Sequence, residues 1–312
     1  MTKIAFVFPG QGSQKVGMGQ ELTEKYEQSQ QFFDQADAAL GFSLSRLIVE
    51  GPQEELTLTY HAQPALLTVG SLIASELMRA GVEPDYTAGH SLGEYTALVA
   101  SGVLSFEDGV KAVHKRGLYM NEAVPAGVGA MAAILGLDAE QVTVVTEKIT
   151  AEGNAVQPAN LNCPGQIVIS GTKAGVEKAC EALKNAGARR AIPLDVSGPF
   201  HSSLMEPAAG KLKEALDEIS MKDAKPAMIA NVNAEVVEDS AAIKEYLVEQ
   251  LYSPVRWEDS VRTMIENGVT HFVECGPGKV LSGLIKKIDR KANVYAVYDE
   301  QTLQETIQAL KG

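Results

Sequence analysis

The chain reads as an α/β protein with a mostly parallel sheet and a small ferredoxin-like unit set into it. Three observations carry this. Short, continuously apolar runs such as Ile4-Ala5-Phe6-Val7-Phe8 alternate with helical stretches, as expected of strands buried on both faces of a parallel sheet. Between residues 127 and 197 the order changes to β-α-β-β-α-β, the ferredoxin-like unit. Between a strand and a helix lies Gly89-His90-Ser91-Leu92-Gly93, a Gly-x-Ser-x-Gly pattern that describes a serine on a sharp strand-to-helix turn. A compact unit of this kind is expected as an insertion at surface loops. The division that follows is a larger domain from 1–126 and 198–312, with a subdomain over 127–197.

In order along the chain, the first apolar run feeds Pro9-Gly10-Gln11-Gly12-Ser13-Gln14. This loop fails the dinucleotide test, since a GxGxxG beginning at Gly10 needs glycine where Lys15 stands. A flexible loop there can still offer a backbone N–H to a developing oxyanion. Residues 21–40 read as one amphipathic helix closed by Gly41, and 54–80 as helical with Pro64 interrupting. Residues 84–88 suit a short buried strand, 92–100 a helix closing at Gly102, and 106–123 a further helix carrying His114, Arg116 and Tyr119. The small unit follows, with strands over 129–135, 155–162, 165–170 and 188–196 and helices over 138–150 and 173–187. Then come a helix over 204–219, a strand over 227–231, helices over 241–251 and 257–267, and a strand over 271–275. A helix over 280–288, a strand over 294–297 and a last helix complete the chain.

Composition narrows the function. A 312-residue chain that is 45% hydrophobic has enough apolar surface for a large core. Its net charge of -13 argues against bulk nucleic-acid binding or an anionic membrane surface, so neither partner is expected. Three cysteines without CxxC spacing read as free thiols in a reducing cytosol, and five scattered histidines show no metal-ligand spacing. No apolar run is long enough to span a membrane, and the N-terminal run is too short for a signal peptide. A cytoplasmic protein is expected, with no metal and, for want of any coiled-coil or edge signal, as a monomer.

A nucleophilic serine needs a base, an oxyanion site and a selector of the acyl group. The plain alternative for Ser91 is an N-cap in an ordinary turn. His201 is the best candidate base, since Gly198-Pro199-Phe200 fixes its approach and a helix follows it. His90 abuts the serine, but neighbouring side chains on a tight turn diverge, so it is expected as a wall of the site. Asp195 and Glu206 lie near His201 without a motif, so a carbonyl oxygen is an equally open partner for the imidazole. Arg116, among small and apolar neighbours, suits a free carboxylate through two parallel hydrogen bonds, although surface arginines are commoner.

Five segments in this order resemble the malonyl-CoA:acyl carrier protein transacylases of fatty acid synthesis. They are Phe8-Pro9-Gly10-Gln11-Gly12-Ser13-Gln14, Gly89-His90-Ser91-Leu92-Gly93-Glu94, the Arg116 helix, Asn160-Leu161-Asn162-x-Pro164-Gly165-Gln166 and Gly198-Pro199-Phe200-His201. The resemblance implies an α/β-hydrolase-like core. It implies Ser91 as nucleophile, His201 as base and acid, and Arg116 on the malonyl carboxylate. It further implies backbone N–H groups of Gln11 and Leu92 as the oxyanion hole, and Gln250 holding His201 through a carbonyl oxygen. Phe200 would select malonyl over branched units. The implied reaction is ping-pong from malonyl-CoA to the phosphopantetheine thiol of acyl carrier protein, without a resident cofactor. For an acidic carrier, Lys184, Arg189 and Arg190, or Lys286, Lys287 and Arg290, are candidate docking cations. The rival readings are a hydrolase of similar core and a silent docking subunit.

Overall fold

A computed structural model describes residues 2–311. Its strands are β1 (Lys3–Phe8), β2 (Tyr86–Gly89), β3 (Gly129–Leu135), β4 (Val156–Cys163), β5 (Gln166–Thr172), β6 (Arg190–Pro193), β7 (Ala227–Ile229), β8 (Val236–Val237), β9 (Val269–Cys275) and β10 (Asn293–Val297). Six form one sheet in the order β10-β9-β1-β2-β7-β8. Every pairing in it is parallel except the short β7–β8 edge. The first strand is therefore central, and the chain winds outward to one edge before returning to build the other. Ligands in such sheets bind outside the carboxyl ends of the strands near the reversal. The other four strands form an antiparallel sheet, β4-β5-β3-β6, the order a βαββαβ unit produces.

The apolar run of β1 is buried on both faces, as its composition requires. Phe6 and Phe8 join the larger core with the helices Thr59–Arg79 and Leu92–Ala100. Ala5 and Val7 pack on the opposite face with Trp257 and Phe272. The small sheet has its own core around Ile134, Val142 and Ile169. Backbone hydrogen bonds join β4 to the loop that follows the helix Ser240–Gln250, from Leu161 N to Val255 O at 2.9 Å and from Val255 N to Ala159 O at 2.8 Å. They anchor β4 beside the C-terminal end of the helix Ser240–Gln250.

Several expected boundaries move. The single helix over 21–40 is two, Gln20–Lys25 and Glu27–Leu40, because Tyr26 is extended and its hydroxyl donates to Glu300 on the last helix at 3.0 Å. Pro64 does not interrupt its helix. The break is at Leu58, whose ψ of 132° is not helical, and Thr59–Arg79 runs straight through the proline. The Tyr60 carbonyl, which Pro64 has no N–H to satisfy, accepts instead from His114 Nδ1 at 2.8 Å. The strand over 188–196 shortens to β6, because the chain after Pro193 leaves the sheet for the mouth of a pocket. The helix Leu44–Glu50 and the β8 pairing were not anticipated.

Ser91 lies at the tightest point of the fold. Its φ of 53° is in the region most residues avoid. A Cβ on Gly89 would stand 1.9 Å from the Gly93 carbonyl, and one on Gly93 would stand 2.0 Å from the Phe8 carbonyl oxygen. Both glycines are thus demanded by backbone meeting backbone, where nothing can move aside. Gly93→Ala is expected to cost roughly 4 kcal/mol or more, the scale of severe overpacking. Gly210→Ala, in an exposed helical position with nothing within 4 Å, is expected to stabilise by about 0.5–1 kcal/mol. Urea midpoints of the two variants check the contrast, and equal effects would contradict the close approach.

Candidate active site

The strained turn is held by two buried amides. Asn231, just beyond β7, accepts from Ser91 N at 2.9 Å through Oδ1 and donates to Gly89 O at 2.7 Å through Nδ2. Gln250, at the end of the helix Ser240–Gln250, donates from Nε2 to Ser91 O at 3.1 Å. A backbone conformation of this kind costs on the order of 1–3 kcal/mol and persists only when its surroundings over-determine it. Here both polar groups of the Ser91 backbone are tied to side chains from other elements.

Ser91 Oγ and His201 Nε2 are 2.8 Å apart. On the far side of the ring, Nδ1 is 2.8 Å from the backbone carbonyl oxygen of Gln250. A carbonyl only accepts, so Nδ1 carries the proton and Nε2 presents its lone pair to the serine hydroxyl. Among the described residues no carboxylate takes part. Asp195 lines the pocket, and Glu206 begins the next helix, but neither meets Nδ1. His201 itself has a φ of 56° and is 3% exposed. The antiparallel sheet helps to place it, since Gln157 Nε2 of β4 donates to His201 O at 3.2 Å. Burial first, and then the charge of Arg116, push the imidazole pKa down from the ordinary 6.5 to about 3. The resting imidazole is therefore neutral, the form a base requires.

Arg116 reaches the same serine from the helix Phe106–Glu122. It is 1% exposed and donates to Gln63 Oε1 at 2.6 Å, Gln250 Oε1 at 2.8 Å and Ser91 Oγ at 3.1 Å. Its guanidinium lies 5.4 Å over the Tyr95 ring, and its Nε has no partner among the described residues. No carboxylate lies within ion-pair distance of it among those residues. A buried cation surrounded by neutral acceptors is costly. A carboxylate arriving beside Ser91 would relieve that cost.

These groups open into a cavity of about 220 Å³ between the two sheets. Gln11 and Leu92 line it, and neither backbone N–H meets an acceptor among the described residues. Leu92 begins the helix Leu92–Ala100, so its free N–H belongs to a positive helix end. The Gln11 side chain is pinned by Thr59 Oγ1 at 2.7 Å. Phe200, 7% exposed, walls the cavity with Met120 and Met131. His90 is a wall as well, with Nε2 2.8 Å from Asn162 Oδ1 and its ring 5.8 Å from that of Trp257. All eight anticipated site residues therefore cluster about Ser91.

The structure adds Asn231, Gln63 and the buried Glu94 to the site. Asn231 carried a usable signal, since it closes an expected strand, and carboxyl ends of strands are where such sites form. Gln63 carried none beyond being a polar residue in an apolar helical run. What the arrangement can do is acyl transfer: a hydroxyl beside a correctly tautomerised base, two free N–H groups, and a cation within one acyl length.

Comparisons with known proteins give the family. The acyl transferase domain family matches residues 5–300. The chain is 61% identical over 311 residues to the malonyl CoA-acyl carrier protein transacylase of Bacillus subtilis, covering 100% of this chain and 98% of that one. It is 46% identical to the protein of the same name from Staphylococcus aureus, covering 98% and 97%. The solved malonyl CoA-acyl carrier protein transacylase of Coxiella burnetii superposes with a TM-score of 0.97 at 43% identity, covering 100% and 98%. A type II polyketide synthase acyl-carrier protein in complex with its malonyl-transacylase matches at a TM-score of 0.96 and 43% identity, covering 99% and 100%. With its strained Ser91 elbow, its carbonyl-held His201 and this similarity over the whole chain, the protein belongs to the malonyl CoA-acyl carrier protein transacylase family of acyl transferases.

Proposed function

We propose that this chain moves the malonyl group from malonyl-CoA to the phosphopantetheine thiol of acyl carrier protein, through an ester on Ser91. The single observation that carries the substrate is Arg116: a buried cation without a carboxylate partner, 3.1 Å from the reacting oxygen. Ser91 Oγ attacks the thioester carbonyl while His201 Nε2 takes its proton. The carbonyl oxygen becomes an oxyanion facing the N–H groups of Gln11 and Leu92. Its collapse breaks the C–S bond, and His201 returns the proton to the departing CoA thiolate. The carrier thiol then gives its proton to His201, attacks the ester and releases Ser91, which regains that proton.

Arg116 serves both halves by pairing with the distal carboxylate, which fixes the three-carbon acyl group away from water. Phe200 crowds against any branch on its central carbon. The scheme calls on no group from a second chain and on no resident cofactor, and action as a monomer is part of the proposal. Use in fatty acid synthesis in the cytoplasm is part of the proposal. Among the described residues no helix is long and apolar enough to cross a membrane.

Incubation with radiolabelled malonyl-CoA is expected to label Ser91, and the label is expected to move to added carrier protein. Rapid release as malonate would favour a hydrolase, and absence of label a silent subunit. In Arg116→Ala the rate of malonyl labelling is expected to fall by roughly two to three orders of magnitude, the loss of a buried charge pairing of about 3–4 kcal/mol. Malonyl transfer at the parent rate, with no gain for uncharged acyl groups, would refute the pairing.

The pH dependence follows from His201. Its folded-state pKa of about 3 lies below the ordinary 6.5, so the base stays neutral as pH falls through 6.5. The unfolded chain takes up that proton between about 6.5 and 3, so His201 withdraws stability as pH drops across this window and contributes nothing above it. Serine acylation is expected to show no loss from His201 protonation between pH 8 and 5. A limb of kcat/KM near 6.5 that disappears in His201→Asn background turnover would contradict the buried, neutral imidazole.

The carrier needs a docking surface. Among the described residues none of Lys184, Arg189, Arg190, Lys286, Lys287 and Arg290 makes an ion pair. Lys286 is nevertheless engaged, donating to Ala292 O at 2.6 Å. Arg189 and Arg190 are better placed, because β6 runs from Arg190 toward Leu194 at the pocket mouth, four residues or about 13 Å on. Reversing both to Glu is expected to raise the KM for carrier about five- to tenfold at low salt, less at high salt, and to spare malonyl-CoA. An unchanged KM for carrier removes this patch.

A further inference from the structure

A second buried charge lies close to the reacting serine and has no part in the scheme above. Glu94, in the first turn of the helix Leu92–Ala100, is 1% exposed. Its carboxylate accepts from Gln250 Nε2 at 2.6 Å and from Asn231 N at 3.3 Å. Among the described residues it has no cation within ion-pair distance. Arg116 is the mirror case, a buried guanidinium without a carboxylate. One amide stands between them. Gln250 Oε1 accepts from Arg116 Nη2 at 2.8 Å, and Gln250 Nε2 donates to Glu94. The orientation of that amide is unambiguous, because guanidinium groups only donate and carboxylates only accept.

We propose that Glu94 is a positioning and specificity-determining residue: its carboxylate is the resident counter-charge of Arg116, relayed through the Gln250 amide, and it sets how strongly the empty site attracts the carboxylate of an incoming acyl group. The inference rests on the malonyl-transfer reading. Two opposite charges one amide apart offset each other's burial and polarise the amide between them. Direct contact would offset more, but it would occupy the guanidinium. The spacer leaves Nη2 against Ser91 Oγ and leaves Nε without a partner. Arg116 is thus held charged and aligned, with Nε still unpaired among the described residues.

The titratable groups facing this network are Arg116 from the neighbouring helix, Tyr95 beside Glu94, and His201 and His90 from the loops. Arg116 is the fixed cation among them. Burial raises the Glu94 pKa from the ordinary 4.5 to about 7, so its charge changes near neutrality. The sign follows directly. As pH falls through about 7, Glu94 takes up a proton, Arg116 loses its counter-charge, and its pull on a substrate carboxylate grows. An uncharged acyl group has nothing to feel the change.

The test compares the parent enzyme with Glu94→Gln and Glu94→Asp, each with Arg116 intact and as Arg116→Ala, from pH 6 to 8.5. Malonyl-CoA and acetyl-CoA are the two donors, and formation of the Ser91 ester is read. In the parent, the KM for malonyl-CoA is expected to fall with pH while that for acetyl-CoA stays flat. Glu94→Gln is expected to lower the malonyl-CoA KM at pH 8 on the order of fivefold and to abolish its pH trend. Glu94→Asp is expected to keep the trend, and Arg116→Ala to erase every difference between the three side chains. A merely structural role would move both donors alike. Equal shifts for both donors, persistence of the shift in Arg116→Ala, or a flat malonyl-CoA KM in the parent would each overturn the inference; the last needs no variant to fold. Absence of malonyl label on parental Ser91 would overturn the transfer reading and this inference with it.

Discussion

The site depends on Gln250. Its backbone carbonyl holds His201 Nδ1, which decides the tautomer of the base. Its side-chain carbonyl accepts from Arg116, which aligns the cation. Its amide nitrogen serves Ser91 O and Glu94, which braces the turn and brings a second charge into the network. Nucleophile, base and cation are thus referenced to one residue at a helix end. Such convergence gives the angular precision acyl transfer needs, because errors in separate supports cannot accumulate.

A neutral carbonyl behind the imidazole is a weaker support for an imidazolium than a carboxylate would be. The buried Arg116 opposes the same positive charge. Both effects favour the neutral ring in the empty site. In the proposed complex, a carboxylate in the acyl group would offset the Arg116 charge, and the substrate would supply part of the electrostatic environment in which His201 becomes cationic. On that proposal, the selection of a charged acyl group and the basicity of the histidine would share one physical origin.

Much of this was legible in the residues, unevenly. The central strand β1 was clear because burial on both faces forces a continuous apolar run. The small unit was clear because its order of elements differs from the rest. The break in the helix over 21–40 leaves no mark in the sequence, because periodicity continues through Tyr26 and its bond to Glu300 comes from far away in the chain. Pro64 misled for a related reason. Its missing hydrogen bond is made good by His114, a partner on another helix that no local pattern reveals.

The sequence by itself determined the chemistry available: a Gly-x-Ser-x-Gly turn, whose small flanks are demanded by backbone contact, and a histidine and arginine in motifs of recognisable kind. These are local properties, set by sterics and residue type within a few positions. Tertiary structure alone decided that the backbone and not the side-chain carbonyl of Gln250 holds His201, that Arg116 is left without a carboxylate, and that Glu94 lies across the Gln250 amide from it. Those outcomes depend on the relative placement of helix ends, loops and two sheets. They are differences between alternative partners for buried polar groups, and a partner distant in the chain leaves no periodic trace in it.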